Sequence, residues 1–150
     1  MNRFVPRIAT AAVAVAAVAG LIAAGSPDVT RPRLERSLTD VYTNLYLQQA
    51  EILGRTTVTA ASLAPQTTCD RGGPKVADSG TGTDWICHIL FTDADGKPQD
   101  GKFELAAKSN ACYVATGPSK INGPIMITDT RGRDVLNPVF EFDACYDPAG

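Results

Sequence analysis

Histidine occurs once in the 150 residues, at His88. One histidine excludes zinc sites that need two, and it leaves a single candidate base for a catalytic triad. No two of the four cysteines stand two to four residues apart, which excludes both a zinc knuckle and a Cys-X-X-Cys redox pair. A P-loop, a nucleophile elbow and a zincin helix are missing too. Basic charge is in short supply. Arg3 and Arg7 belong to a leader, and the other 12 Lys and Arg face 16 Asp and Glu, a net of −4. Nucleic-acid binding needs a basic footprint, and docking on anionic lipid needs basic charge, so both classes are excluded.

What is present begins with that leader. Residues 1–7 (MNRFVPR) are positively charged, and residues 8–24 form an apolar run of 17 residues without a charge. Small residues follow at Ala23 and Gly25, then Ser26-Pro27 turns the chain polar. This order predicts a secretory signal over residues 1–25 with cleavage near Ser26. No cysteine follows the run and the arginines are not adjacent, which argues against a lipoprotein signal and against twin-arginine export. The competing reading is an uncleaved anchor helix, at the lower length limit for spanning a bilayer. Either way the body of the chain lies outside the cytoplasm. About 125 residues remain, enough for one domain with its own core.

Residues 26–33 (SPDVTRPR) are read as a linker and residues 34–147 as a single domain. Leu34, Leu38, Val41, Leu45 and Ile52 recur on one face of an α-helix, flanked by Tyr42 and Tyr46, with Thr30 or Ser37 to cap it and Gly54 to stop it. Residues 56–63 (TTVTAASL), rich in β-branched side chains, read as a strand. Residues 66–84 read as a long, exposed, mobile loop with four glycines and Cys69. Residues 85–92 (WICHILFT) are the clearest strand, apolar on both faces and therefore expected to be central and covered. Residues 93–101, with two Asp-Gly pairs, turn the chain. Strands are expected over 103–107, 111–116, 125–129 and 139–145, with a loop at 117–124, a turn at 130–133 and Pro138 marking an edge or bulge. Two segments echo each other: Phe91-Thr92-Asp93 before Gly96-Lys97, and Ile127-Thr128-Asp129 before Gly132-Arg133. Two hairpins with the same turn chemistry explain the echo without a true repeat.

Four cysteines in an exported chain read as two disulfides. Of three possible pairings, Cys69 with Cys87 and Cys112 with Cys145 is favoured: the first closes the loop onto the central strand, and the second ties the last strand to the middle of the sheet. Each is worth roughly 3 to 4 kcal/mol in the chain-entropy picture.

No catalytic set is assembled. His88 lies mid-strand beside a cysteine expected to be oxidised. Asp93, Asp95 and Glu104 match positions one, three and twelve of a calcium loop, but Lys97 and Pro98 stand where a ligand and a glycine are required, so the EF-hand reading fails. Weak calcium binding outside the cell stays as the lesser alternative to a solvated hairpin tip. No cofactor and no metal site is predicted.

The leader, one helix, Trp85-Ile86-Cys87 on a strand, the Asp-Gly hairpin, Ala111-Cys112-Tyr113 and the closing Asn137 to Cys145 segment together resemble small exported proteins of actinobacterial type. One helix followed by a meandering sheet is similar, in fold only, to cystatin-like or PepSY-like domains. The motifs are structural, so neither resemblance carries active residues across.

The expected fold is therefore α+β: one N-terminal helix on an antiparallel sheet of five or six strands, with two disulfides. The expected function is an exported, non-catalytic binding or inhibitory module for an extracellular protein or envelope component. Its candidate contacts lie in loops, at Asp70, Arg71, Lys75, Asp84, Ser119, Lys120 and Asn122. The alternatives are an envelope protein held by its uncleaved leader, its only membrane contact, and a small secreted hydrolase built on His88.

Overall fold

The computed structural model describes residues 29–146; the expected leader and the first residues of the expected linker lie outside them. One long helix, α1 (Arg31–Ile52), crosses one face of a five-stranded antiparallel sheet of order β1-β2-β3-β4-β7, and a separate two-stranded hairpin pairs β5 with β6. The strands are β1 (Gln66–Asp70), β2 (Gly82–Thr92), β3 (Pro98–Ala107), β4 (Cys112–Thr116), β5 (Met126–Thr128), β6 (Asp134–Leu136) and β7 (Glu141–Cys145). Two short helices, α2 (Ala60–Leu63) and α3 (Ser119–Asn122), complete the chain. The fold is α+β with two disulfides, Cys69–Cys87 and Cys112–Cys145.

Helix α1 starts three residues before the apolar stripe, with extended Thr30 as N-cap and Pro32 in the first turn, where its missing N–H costs nothing. The expected linker is thus already helix at Arg31, and Val29 is buried ahead of it. The buried stripe is Leu34, Leu38, Tyr42 and Tyr46, ending on Gln49 and Ala50. The tyrosines do not flank the stripe; they form it, while Val41 and Leu45 sit at its partly buried margin. Tyr42 packs against Phe91 and Phe103, with ring centroids 5.2 and 5.4 Å apart.

Three expectations are corrected. Residues 56–63 are not a strand: Thr59 and Ser62 form a capping box, each side chain accepting the other's backbone N–H, and the segment turns into α2. The expected loop over residues 66–84 opens with β1, whose threonines and Cys69 pair with β2, so the true loop is residues 71–81. Strand β2 is an inner strand, second of five and next to the β1 edge, and it is covered on one face only. Trp85, Cys87, Ile89 and Phe91 enter the core, whereas Ile86, His88 and Leu90 point to the other side, where Leu90 keeps 47% of its surface exposed.

The two echoing segments do build the same turn. Asp93 exchanges backbone bonds with Gly96 and Lys97, and its Oδ1 accepts the N–H groups of Asp95 and Lys97; Asp129 does the same with Gly132, Arg133 and Arg131. The first turn joins β2 to β3 in the main sheet, and the second joins β5 to β6.

Candidate functional site

The loop residues singled out from the sequence divide into two groups that the fold holds apart. Asp70, Arg71, Lys75 and Asp84 surround the 71–81 loop, which is fastened to the start of α1: Arg31 donates to Asp78 through both its backbone N–H and its guanidinium. Ser119, Lys120 and Asn122 form α3, fastened to the far end of α1 where Gln49 donates to the Asn122 carbonyl. At 1.5 Å per residue, Arg31 and Gln49 lie about 27 Å apart along the helix.

Most of these side chains hold the structure together. Arg71 forks onto Asp84 (3.1 and 3.2 Å from Nε, 3.0 Å from Nη2), also bonds the Ser79 carbonyl, and lies over the Trp85 ring. Hydrogen bonding from that guanidinium holds the Asp84 carboxyl below the usual carboxylate range. Asp70 accepts the N–H groups of Gly72 and Gly73 and shapes the turn. Asn122 is 1% exposed: it accepts from the Tyr42 hydroxyl, donates to the Val139 carbonyl, and shares a buried network with Gln49 and Asn137. Lys75, Ser119 and Lys120 are exposed, the last at a polar hollow of about 240 Å³ that also takes in Arg55, Asp93 and Asp95. Asp93 keeps a lowered pKa although burial works to raise it, because the Lys97 and Asp95 N–H groups and the Gln99 amide all donate to its carboxylate. Those donors occupy oxygens that a calcium ion would require.

His88 stands on the uncovered face of the sheet, its Nδ1 2.9 Å from Asp100 Oδ1 and both side chains about half exposed. Thr68 is its cross-strand neighbour on β1. The dyad sits on the strand surface, and neither His88 nor Asp100 lines the polar hollow beside Lys120.

The larger feature is the uncovered face itself, which no loop reading indicated. Cross-strand register sets Asp70, Ile86, Glu104, Thr116 and Glu141 in one row. Ala106, Val114 and Asp143 form a second row, and Cys112 opposes Cys145 in a third. Ile86, Ala106 and Val114 thus run diagonally across the face, with Leu90 set apart from them by His88, among the carboxylates Asp70, Asp100, Glu104, Glu141 and Asp143 and the basic side chains Lys102 and His88. The sequence does carry a signal for part of it. Glu141-Phe142-Asp143-Ala144 alternates acid with apolar residues, the pattern of a strand with one face in the core.

The two edges of the sheet differ. At β1, the outward N–H of Cys69 is taken by Glu35 Oε1 at 2.8 Å, and that of Arg71 by Asp78 Oδ1 at 3.2 Å, so helix and loop close the edge. At β7, Tyr146 donates to the Ala111 carbonyl and Gly117 to the Phe140 carbonyl, which fixes the hydrogen-bonding parity: Phe142 and Ala144 face β4, while Glu141, Asp143 and Cys145 turn their backbone groups outward. Among the described residues nothing accepts from those three N–H groups. Beside this edge, on the helix side, lies a groove of about 270 Å³ between α1 and the end of β7, lined by Arg33, Arg36, Ser37, Asp40 and Val41 opposite Cys145 and Tyr146.

Two disulfides fit an oxidising, extracytoplasmic setting, and no helix among the described residues is long and apolar enough to cross a membrane. No family model, no curated protein and no solved structure matches this chain.

Proposed function

We propose that the chain is an exported, non-catalytic binding module that holds an extracellular protein or envelope component against the open face of its sheet. The observation that supports this reading most is that face: a braced five-stranded sheet, covered by a helix on one side, presents Ile86, Leu90 and Val114 among carboxylates on the other. Exposed apolar residues rimmed by charge are the usual composition of an interaction surface. The cystines hold the strands in register, which lowers the ordering cost of binding. The signal-like residues 1–25 and the cystines support secretion.

The test is affinity capture from the native culture medium with residues 26–150 immobilised and the disulfides intact. A partner retained by the native domain and lost with the double variant Leu90→Lys, Val114→Lys supports the reading. Equal retention by both forms overturns it. So does turnover of ester, peptide or glycoside substrates that disappears on His88→Gln, since that result would establish the hydrolase instead.

A further inference from the structure

We infer that the edge of β7, unpaired among the described residues, is the point at which the partner engages, and that the partner supplies an extended, basic segment as a sixth strand. The inference rests on the binding-module reading above and names its partner chemistry.

Three observations carry it. First, β7 offers the outward N–H and C=O groups of Glu141, Asp143 and Cys145, a row of donors and acceptors at main-chain spacing, whereas the opposite edge is closed by Glu35 and Asp78. Strand addition takes its affinity from main-chain bonds of this kind. Second, alternation places the side chains of Glu141 and Asp143 on the open face beside that edge, both exposed. A sixth strand would set its own open-face side chains directly across from these carboxylates. Lysine or arginine there is favourable, and acid is not. The same charge disfavours a second copy of this chain at the edge, because β7 against β7 would bring carboxylate toward carboxylate. Third, the alternate side chains of the incoming strand would point to the helix side, toward the groove that Val41, Ser37 and Cys145 help to line. Strand bonds, an acidic row on one face and a recess on the other specify an extended peptide in which basic residues alternate with apolar ones.

The probe is a short, end-blocked peptide of alternating lysine and valine, compared with its glutamate–valine counterpart, on the intact disulfide-bonded domain. Amide hydrogen exchange read by NMR reports on each backbone group. The lysine peptide is expected to slow exchange of the Glu141, Asp143 and Cys145 amides and the glutamate peptide to leave them unchanged. Glu141→Lys with Asp143→Lys should invert that preference, weakening the lysine peptide about tenfold. Asp143→Pro removes an N–H that β4 does not use, so the sheet survives, as an unchanged circular dichroism spectrum would show, while binding of the lysine peptide is lost. Protection at other residues with these three amides still exchanging overturns the edge assignment and leaves the binding module standing. Absence of binding by the lysine peptide overturns the basic-strand assignment. Self-association that protects the three amides overturns it in favour of a second copy.

Discussion

At the scale of single residues, the buried polar network decides more than the exposed loops do. Asn122 bridges α1 to the chain before β7, and removing its carboxamide leaves the Tyr42 hydroxyl and the Val139 carbonyl without their buried partners. Asn122→Ala is expected to cost about 2 to 4 kcal/mol in urea unfolding, more than a surface asparagine would. Gly117 has a different constraint: a Cβ there would fall on the Asn122 amide and the Phe103 ring. Gly117→Ala should therefore destabilise by about 1 to 3 kcal/mol through overpacking. Neither role could be read from residues 117–124, where Gly, Pro, Ser and Asn look alike whether a loop is exposed or pinned. Burial also raises the phenols of Tyr42 and Tyr113, the latter to about 12. A group whose folded pKa is raised contributes its stability in full below its unfolded value and loses it as pH rises toward the folded one. Stability on the alkaline side should therefore hold up to pH ~10, the ordinary phenol value, and then fall toward pH 12, with phenolate absorbance appearing together with unfolding. On the acid side the signs reverse. Asp84, Asp93 and Asp129 are held low, so their contribution is present above the ordinary carboxylate value of ~4 and is lost as pH falls below it.

At the scale of elements, the two disulfides do the same job at opposite margins. Cys69 opposes Cys87 and Cys112 opposes Cys145 in strand register, so each cystine ties an edge strand to its inner neighbour. The even count indicated two bonds and the expected placement of the cysteines favoured this pairing, but the second bond does not reach the middle of the sheet, because Cys112 lies on β4, next to the edge strand β7. Replacing Cys69 and Cys87 by serine should cost about 3 kcal/mol, and replacing Cys112 and Cys145 about 4 kcal/mol, from loops of 18 and 33 residues. Hydrogen exchange should separate the two. Loss of Cys112–Cys145 frees the Phe142 and Ala144 amides, whereas loss of Cys69–Cys87 leaves β1 still held by Glu35. The long helix was legible because Leu34 and Leu38 repeat at helical spacing. Residues 56–63 were misread because threonine serves strands and helix caps equally, and only the pairing of Thr59 with Ser62 decides between them. Strand β1 was missed because its short run, Gln66–Asp70, adjoins a glycine-rich stretch that looks continuous with it.

At the scale of the whole molecule, one helix and a meander of strands were enough to indicate α+β, since a helix with one apolar stripe and strands with alternating faces must bury both against each other. Sheet order was not legible. It depends on the return of β7 across residues 117–140 to lie beside β4, a non-local pairing that no local pattern encodes. For that reason the sequence pointed to loops as the binding surface, while the fold presents an open face, an acidic edge and two loop groups fastened to opposite ends of α1. The most direct measurement is a hydrogen-exchange map of the domain in complex with the partner captured from native medium. Protection should cover Ile86, Leu90 and Val114 on the open face and the Glu141, Asp143 and Cys145 amides at its edge. Protection confined to residues 71–81 and 117–124, with the open face exchanging as in the free domain, would contradict the account.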